Sequence, residues 1–289
     1  MTTSSETRES VVAQAVQEIS HIATLPEVTL KIIDLVEDPS STAQDLHKVI
    51  ANDPALCSRI LKVVNSAFYG LPGQIGSINR AIVLLGLNAV KNIAIATSLG
   101  KLFRGGELCP QFNARDLWLN SMSVAASSKM VAEAAGIGLS DEAFLAGLLH
   151  DIGIMVEMQA NRQGLIEVFD DVAQSGGSFI EAENRILGAD HQAFGQALCE
   201  RWRFPKSFSY VTGYHHNPLG LASGTRTLAC VVHVGDVLAA QLEMGFIADV
   251  SNTTPDASVL DELRLSAGQI SEMSDRLPDA VEEVATILG

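Results

Sequence analysis

His150 and Asp151 stand side by side inside the apolar run AFLAGLLHDIGIMV, residues 143–156. Titratable groups buried there without partners would cost several kcal/mol, so the pair needs a reason. The chain has seven histidines: His21, His47, His150, His191, His215, His216 and His233. His150, His191 and the His215–His216 pair fall near the ends of expected helices. Asp236 follows His233 by one turn in CVVHVGDVLAA. Imidazole and carboxylate donors together suit Fe, Mn, Ni, Zn or Mg in a five- or six-coordinate site rather than a structural tetrahedral zinc. Such a divalent ion polarises a phosphoryl oxygen and lowers the pKa of bound water towards ~7. An aspartate next to a histidine could also bridge two ions, because neighbours that splay along a helix can converge at its end. Plainer readings exist for the same residues. A helical histidine is commonly just hydrogen-bonded, and an aspartate in an apolar helix can cap or meet an arginine. Paired histidines before Asn217-Pro218 can close a helix beside its last carbonyls. Spacing alone leaves both readings open.

These residues need a scaffold, and the composition supplies one. Of 289 residues, 47% are hydrophobic and 18% charged, enough for a sizeable core. A net charge of −15 argues against a nucleic-acid surface and against an anionic membrane partner. Cys57, Cys109, Cys199 and Cys230 lie far apart without a C-x-x-C pair, as expected of reduced thiols in a cytoplasmic protein. The polar start MTTSSETRES has no signal-like apolar core. No apolar run is expected to reach the ~20 residues of a spanning helix.

Helical periodicity dominates. EVTLKIIDLVED sets Val28, Ile32, Leu35 and Val36 on one face before Pro39. Ser41 or Thr42 can cap the next helix, Asp53-Pro54 opens ALCSRILKVVN, and Ser77 opens INRAIVLLG, which Gly86 ends. ARDLWLNSMSVAASSKMVAEAAG alternates small and large apolar residues up to Gly136, and Ser140 is expected to cap SDEAFLAGLLHDIG. TLACVVHVGDVLAAQLEMG is apolar nearly all round, as a central helix would be. With no period-2 strand pattern, an all-α fold of about a dozen helices is predicted. Four segments are expected: a polar tail and start of the first helix (1–18), an N-terminal helical subdomain (19–110), a second helical subdomain (111–245) and a C-terminal helical appendage (246–289). The soft boundary is RGGELCPQFN, residues 104–113.

Two stretches, NDPALCSRILKVVNSAFYG (52–70) and SINRAIVLLGLNAVKNIAI (77–95), resemble the N-terminal half of the HDOD domain, an HD-related output domain of bacterial signalling proteins. The resemblance runs through GLLHDIG and HQAFGQALCERWRFP to YHHNP and covers about residues 20–240. It implies a multi-helix HDOD bundle whose second half is similar to HD phosphohydrolases and HD-GYP phosphodiesterases. By that likeness the metal ligands would be His150, Asp151, His191, His215, His216 and Asp236. The early His or Glu ligand of those enzymes would fall at Asn120, a weaker amide donor, and no GYP motif follows the HH pair.

The resemblance implies two functions. One is a stand-alone, non-catalytic signalling protein with a partly retained metal pocket, acting through contacts with other signalling proteins; a homodimer is left open. Phe68, Tyr69, Leu71 and Pro72 would form its partner surface, unless they pack between the two halves. The alternative is a metal-dependent phosphohydrolase of nucleotides or cyclic dinucleotides, with Arg162, Arg185, Arg201 and Arg203 as phosphate contacts.

Overall fold

The computed structural model describes residues 2–19, 25–100, 102–103 and 106–289. His21 lies outside the described residues, as does the side chain of Val36. Among the described residues five helices build the first half: α2 (Glu27–Glu37), α3 (Ala43–Ala51), α4 (Pro54–Val64), α5 (Ile78–Leu85) and α6 (Leu87–Leu99). Thr42 caps α3 with a reciprocal capping box, Asp53 caps α4 with Pro54 at its first position, and Ser77 caps α5. Each cap satisfies a backbone N–H that the first turn leaves unpaired. Helix α6 is buried from Ala89 to Leu99 and packs on α8 (Ser140–Leu149) of the second half.

Residues 106–113 depart from the all-helical expectation, because β1 (Glu107–Cys109) and β2 (Phe112–Asn113) pair antiparallel there. Strands of three and two residues are too short to show a period-2 pattern, which is why only Gly and Pro signalled the turn.

The second half is built around α7 (Ala114–Ala135). It turns through Gly136, a left-handed residue whose N–H bonds back to Ala132 and Glu133, into antiparallel α8. Ser140 is the first residue of α8 and not its cap, since Leu139 holds the cap position without a side-chain bond. Contact here is backbone to backbone: a Cβ on Gly147 would lie 2.6 Å from the Val124 carbonyl oxygen. On its other flank α7 meets α14 (Thr227–Ala240), where Ser127 Oγ donates to the Gly235 carbonyl at 2.6 Å. The small residues alternating along α7 exist to let two helices approach this closely.

Helices α9 (Ile152–Ala160), α10 (Arg162–Ser175), α11 (Phe179–Ile186), α12 (His191–Arg201) and α13 (Lys206–Tyr214) complete this half. Residues 140–160 form a 21-residue stretch long and apolar enough to cross a membrane, contrary to the sequence expectation, and 83% of its most apolar window is buried. Its apolarity serves the protein core. Helices α15 (Ala257–Leu263) and α16 (Ala267–Leu288) follow, and α16 lies along α7. A single hydrophobic cluster runs from Val12 to Val284 through all four segments.

Residues 2–18 form helix α1 (Thr2–Glu18), which docks on α12 and α9. Val12, Val16 and Ile19 are buried, and the Arg8 guanidinium donates to both carboxylate oxygens of Asp190 at 2.8 and 2.9 Å. Asp190 caps α12 through Ala193 N–H and also accepts from Asn184. Burial would raise its pKa, but Asn184, the Ala193 N–H and Arg8 together hold it below the usual range. Replacing Arg8 by alanine should cost about 1 kcal/mol at neutral pH, Arg8 being half exposed. A lowered Asp pKa stabilises above its unfolded value of about 3.9, and that contribution is lost as pH falls through the folded value. Denaturant titrations should therefore show the wild-type advantage at pH 7 shrinking below about pH 4.

Candidate metal centre

The doublet occupies a break in the backbone. His150 ends α8, Asp151 precedes α9, and both are fully buried. His191 is the first residue of α12, His215 caps the C-terminus of α13, and His216 follows it. Asp236 comes from the middle of α14. Four helix ends and the middle of α14 thus bring together side chains up to 86 residues apart in sequence, as His150 and Asp236 show by standing 3.7 Å apart.

The Asp151 carboxylate is the hub. Its Oδ2 stands 3.3 Å from His150 Nε2, while Oδ1 stands 3.5 Å from His191 Nε2 and 3.3 Å from His215 Nε2. His191 Nε2 and His216 Nε2 are 3.1 Å apart. The six residues proposed from sequence therefore share one locality, with one face of Asp151 towards His150 and Asp236 and the other towards the remaining histidines.

Three ring orientations are set from behind. His150 Nδ1 donates to the Gly147 carbonyl at 2.7 Å, and His215 Nδ1 donates to that of Val211 at 3.2 Å. His191 Nδ1 donates to both oxygens of buried Glu183 at 2.9 Å. A proton held at Nδ1 leaves the Nε2 lone pair directed inward in the neutral ring, the arrangement seen where histidine binds metal. His233 stands apart, donating from Nδ1 to the His215 carbonyl at 2.7 Å and so bracing the turn.

Three carboxylates were missed by sequence reasoning. Asp249 lies in the segment assigned to the C-terminal appendage, yet it is 4% exposed and 3.2 Å from His216 Nε2. With Asp151, His191, His215 and His216 it offers ligand atoms that all lie within 4.8 Å of one another. Its anchor is Phe246, which is buried among Phe112, Phe169 and Phe179 while its N–H donates to the Asp116 carbonyl. A lone aromatic three residues before an aspartate was the available signal. Glu183 of α11 and Glu157 of α9 are also buried.

The electrostatics are those of a buried anionic cluster. Burial, and the neighbouring Glu183, push Glu157 well above the ordinary carboxylate range; burial does the same to Glu183. Burial also lifts Asp236, to about 7. Burial opposes charge on His150, but Asp151, Asp236 and Asp249 outweigh it and raise the ring to about 10. His215 is driven well below its usual value by burial and by His216. His150 Nε2, His215 Nε2, both Asp151 oxygens, Asp236 Oδ1 and both Asp249 oxygens are buried and make no hydrogen bond. Buried polar atoms are normally satisfied, and donors spaced about 3 Å apart match the edge of a coordination polyhedron with ligands near 2.1 Å. The residues present fit a divalent cation.

Asn120 stands outside the cluster of converging ligand atoms but close by in the fold. The α7–α8 hairpin sets Val124 against Gly147, and one turn further brings Asn120 level with the doublet. Its Oδ1 is buried and makes no hydrogen bond.

The four arginines do not join the centre. All are exposed: Arg185 pairs with Asp171, and Arg162 donates to the Glu107 carbonyl at 3.3 Å. Arg201 and Arg203 lie at the solvent-facing end of α12. Helical arginines meet water and nearby acids first, and no spacing rule turned them inward.

Phe68 and Tyr69 also turn inward. Phe68 packs on Phe144 of α8 at 5.4 Å, and Lys129 of α7 lies 4.5 and 4.1 Å from the Phe68 and Tyr69 ring centroids. These half-buried rings join the two halves; Leu71 is half-buried as well, and Pro72 is the exposed member of the expected patch. Tyr69→Ala should lower stability by about 2–4 kcal/mol in chemical denaturation, whereas Leu71→Ala should cost less than half as much. Equal small losses would return Tyr69 to the surface.

The HDOD domain model matches residues 22–218. An uncharacterized Treponema pallidum (strain Nichols) protein is 26% identical over 206 residues, 71% of this chain, and the matched part is 39% of that relative's length. An HDOD domain protein of unknown function from Geobacter sulfurreducens has a TM-score of 0.83 at 23% identity, covering 98% of this chain and 99% of the other. A Shewanella amazonensis protein described as a candidate metal-dependent phosphohydrolase has a TM-score of 0.67 at 20% identity over the full length of both chains. At these identities the two structures establish a shared fold.

Proposed function

This chain belongs to the HDOD family, and from that premise we propose that it is a metal-holding signalling domain that acts through protein contacts without turnover. One observation carries the metal: seven buried donor atoms from five residues converge without hydrogen bonds. The ion would be held by His150, Asp151, His191, His215, His216, Asp236 and Asp249. The two-faced Asp151 gives room for a second ion. Bound there, a divalent cation supplies Lewis-acid charge suited to phosphoryl oxygens.

Burial supports a non-catalytic role. His150, Asp151, His191 and His215 are 0% exposed, and a phosphate ester needs an open coordination position and cations to meet its charge. The four arginines expected for that task point to solvent. Asn120, where HD enzymes carry a stronger ligand, supports the same reading. The buried ion would then tie α8, α12, α13, α14 and the Asp249 loop into one rigid surface for a signalling partner.

Elemental analysis of protein purified without chelator tests this, together with hydrolysis assays on nucleotides and cyclic di-GMP with added Mn²⁺. The expected result is one or two divalent ions per chain and no turnover above background. Metal-free protein that takes up none on titration would remove the centre, and steady ester cleavage would replace the signalling reading with the phosphohydrolase. Asn120→His should tighten metal binding on the order of tenfold, since imidazole would replace an unsatisfied amide beside the doublet. Unchanged affinity would place Asn120 out of reach of the ion.

A further inference from the structure

A cavity of about 510 Å³ opens where the first half, α7 and the end of α16 meet. Arg59 and Lys62 of α4, Arg115 and Trp118 of α7, Gly100 and Phe103 line it together with residues 287–289. Trp118 is two positions from Asn120, so the cavity lies on nearly the opposite face of α7 from the metal centre.

Its charge is the reverse of the protein's. The chain carries 34 acidic and 19 basic residues, yet among the described residues three basic side chains and no acidic one line this cavity. Lys62 Nζ donates to the Thr286 carbonyl at 2.9 Å, which accounts for one of the three. Arg59 and Arg115 make no ion pair among the described residues. Arg59 Nε is moreover buried with no hydrogen-bond partner, although a buried guanidinium N–H normally meets an acceptor. Beside these cations the tilted Phe103 and Trp118 rings, 4.7 Å apart with 33° between planes, give an aromatic wall. Gly100 keeps that wall open: a Cβ would sit 3.1 Å from Trp118 Cζ2 and 3.6 Å from the Leu288 carbonyl oxygen.

We infer that this cavity binds a mononucleotide, its phosphate on Arg59 and Arg115 and its base against the Trp118 edge. Guanidinium groups match phosphate geometry, and nucleobases pack on aromatic side chains. The volume is in the range of small-ligand sites. In a chain this acidic, an anion is drawn only where cations gather.

Calorimetric titration of the full chain with GMP, CMP and inorganic phosphate tests the site. Saturable binding of a nucleotide is expected, with phosphate weaker, and the Arg59→Gln/Arg115→Gln double variant should weaken it about tenfold or more while leaving the thermal midpoint nearly unchanged. Gly100→Ala should weaken it too, by narrowing the wall. His150→Ala should leave nucleotide affinity unchanged, which separates this site from the metal centre. The inference fails if neither nucleotide saturates at millimolar concentration. It fails equally if the double variant binds as wild type, if phosphate alone binds as tightly as GMP, or if binding disappears with His150.

Discussion

Stripping divalent metal from the purified protein should lower its thermal midpoint by roughly 5 °C or more. Linkage sets the size: an ion at about a hundred times its Kd contributes about 2.7 kcal/mol, and a chain this long shifts about 2 °C per kcal/mol. The cause is local. Asp151, Asp236 and Asp249 are gathered with 0–4% exposure, and five of their buried oxygens have no hydrogen-bond donor. Without a cation the cluster relieves its charge by binding protons, as the rise of Asp236 to about 7 and of His150 to about 10 indicates. Calorimetric scans with EDTA, and again after adding back Mn²⁺ or Zn²⁺, measure the effect. Asp249→Asn should shrink it, because Asp249 is one of the five residues whose ligand atoms lie within 4.8 Å of one another. A midpoint unmoved by chelation, in protein shown by elemental analysis to have lost its ion, would mean that the cluster is satisfied by protons alone.

Gly153→Ala should be among the most damaging single-methyl substitutions in the chain. Gly153 follows the doublet by two residues, and a Cβ there would lie 1.8 Å from the His191 carbonyl oxygen and 2.8 Å from Gly195 N. Those atoms are backbone, so no side chain can rotate away, and α12 itself would have to move. Overpacking of this kind costs about 3 kcal/mol or more, visible as reduced denaturation midpoint or as failure to accumulate folded protein. Where folded protein is obtained, metal affinity should fall as well, because a displaced α12 carries His191 away from Asp151. Gly224→Ala is the matching control: nothing lies within 4 Å of its Cβ position, and the exposed site should tolerate the methyl. A Gly153→Ala protein with wild-type stability would show that α9 and α12 are further apart than described.

Glycine in HDIG is thus a packing requirement of the centre, and the motif contains both ligands and the means of bringing a third ligand close. That much is legible once the helix crossing is known, but periodicity cannot reveal it. Helical caps are different. Thr42, Asp53 and Ser77 cap as expected because capping involves residues three apart in the chain. Ser140 fails because Gly138-Leu139 already sets the turn into α8.

Local chemistry, then, was decided by the sequence alone: the helices, most of their ends, the apolar core and the histidines and aspartates able to serve a metal. These follow from spacings of a few residues and from residue type. Tertiary structure decided which groups meet. It buried Asp249 through the anchor of Phe246, turned Phe68 and Tyr69 inward onto Lys129, left the four arginines in water and docked α1 on α12 through Arg8. Each of those outcomes depends on contacts between residues remote in the chain, where burial and charge, and not periodicity, choose the partner.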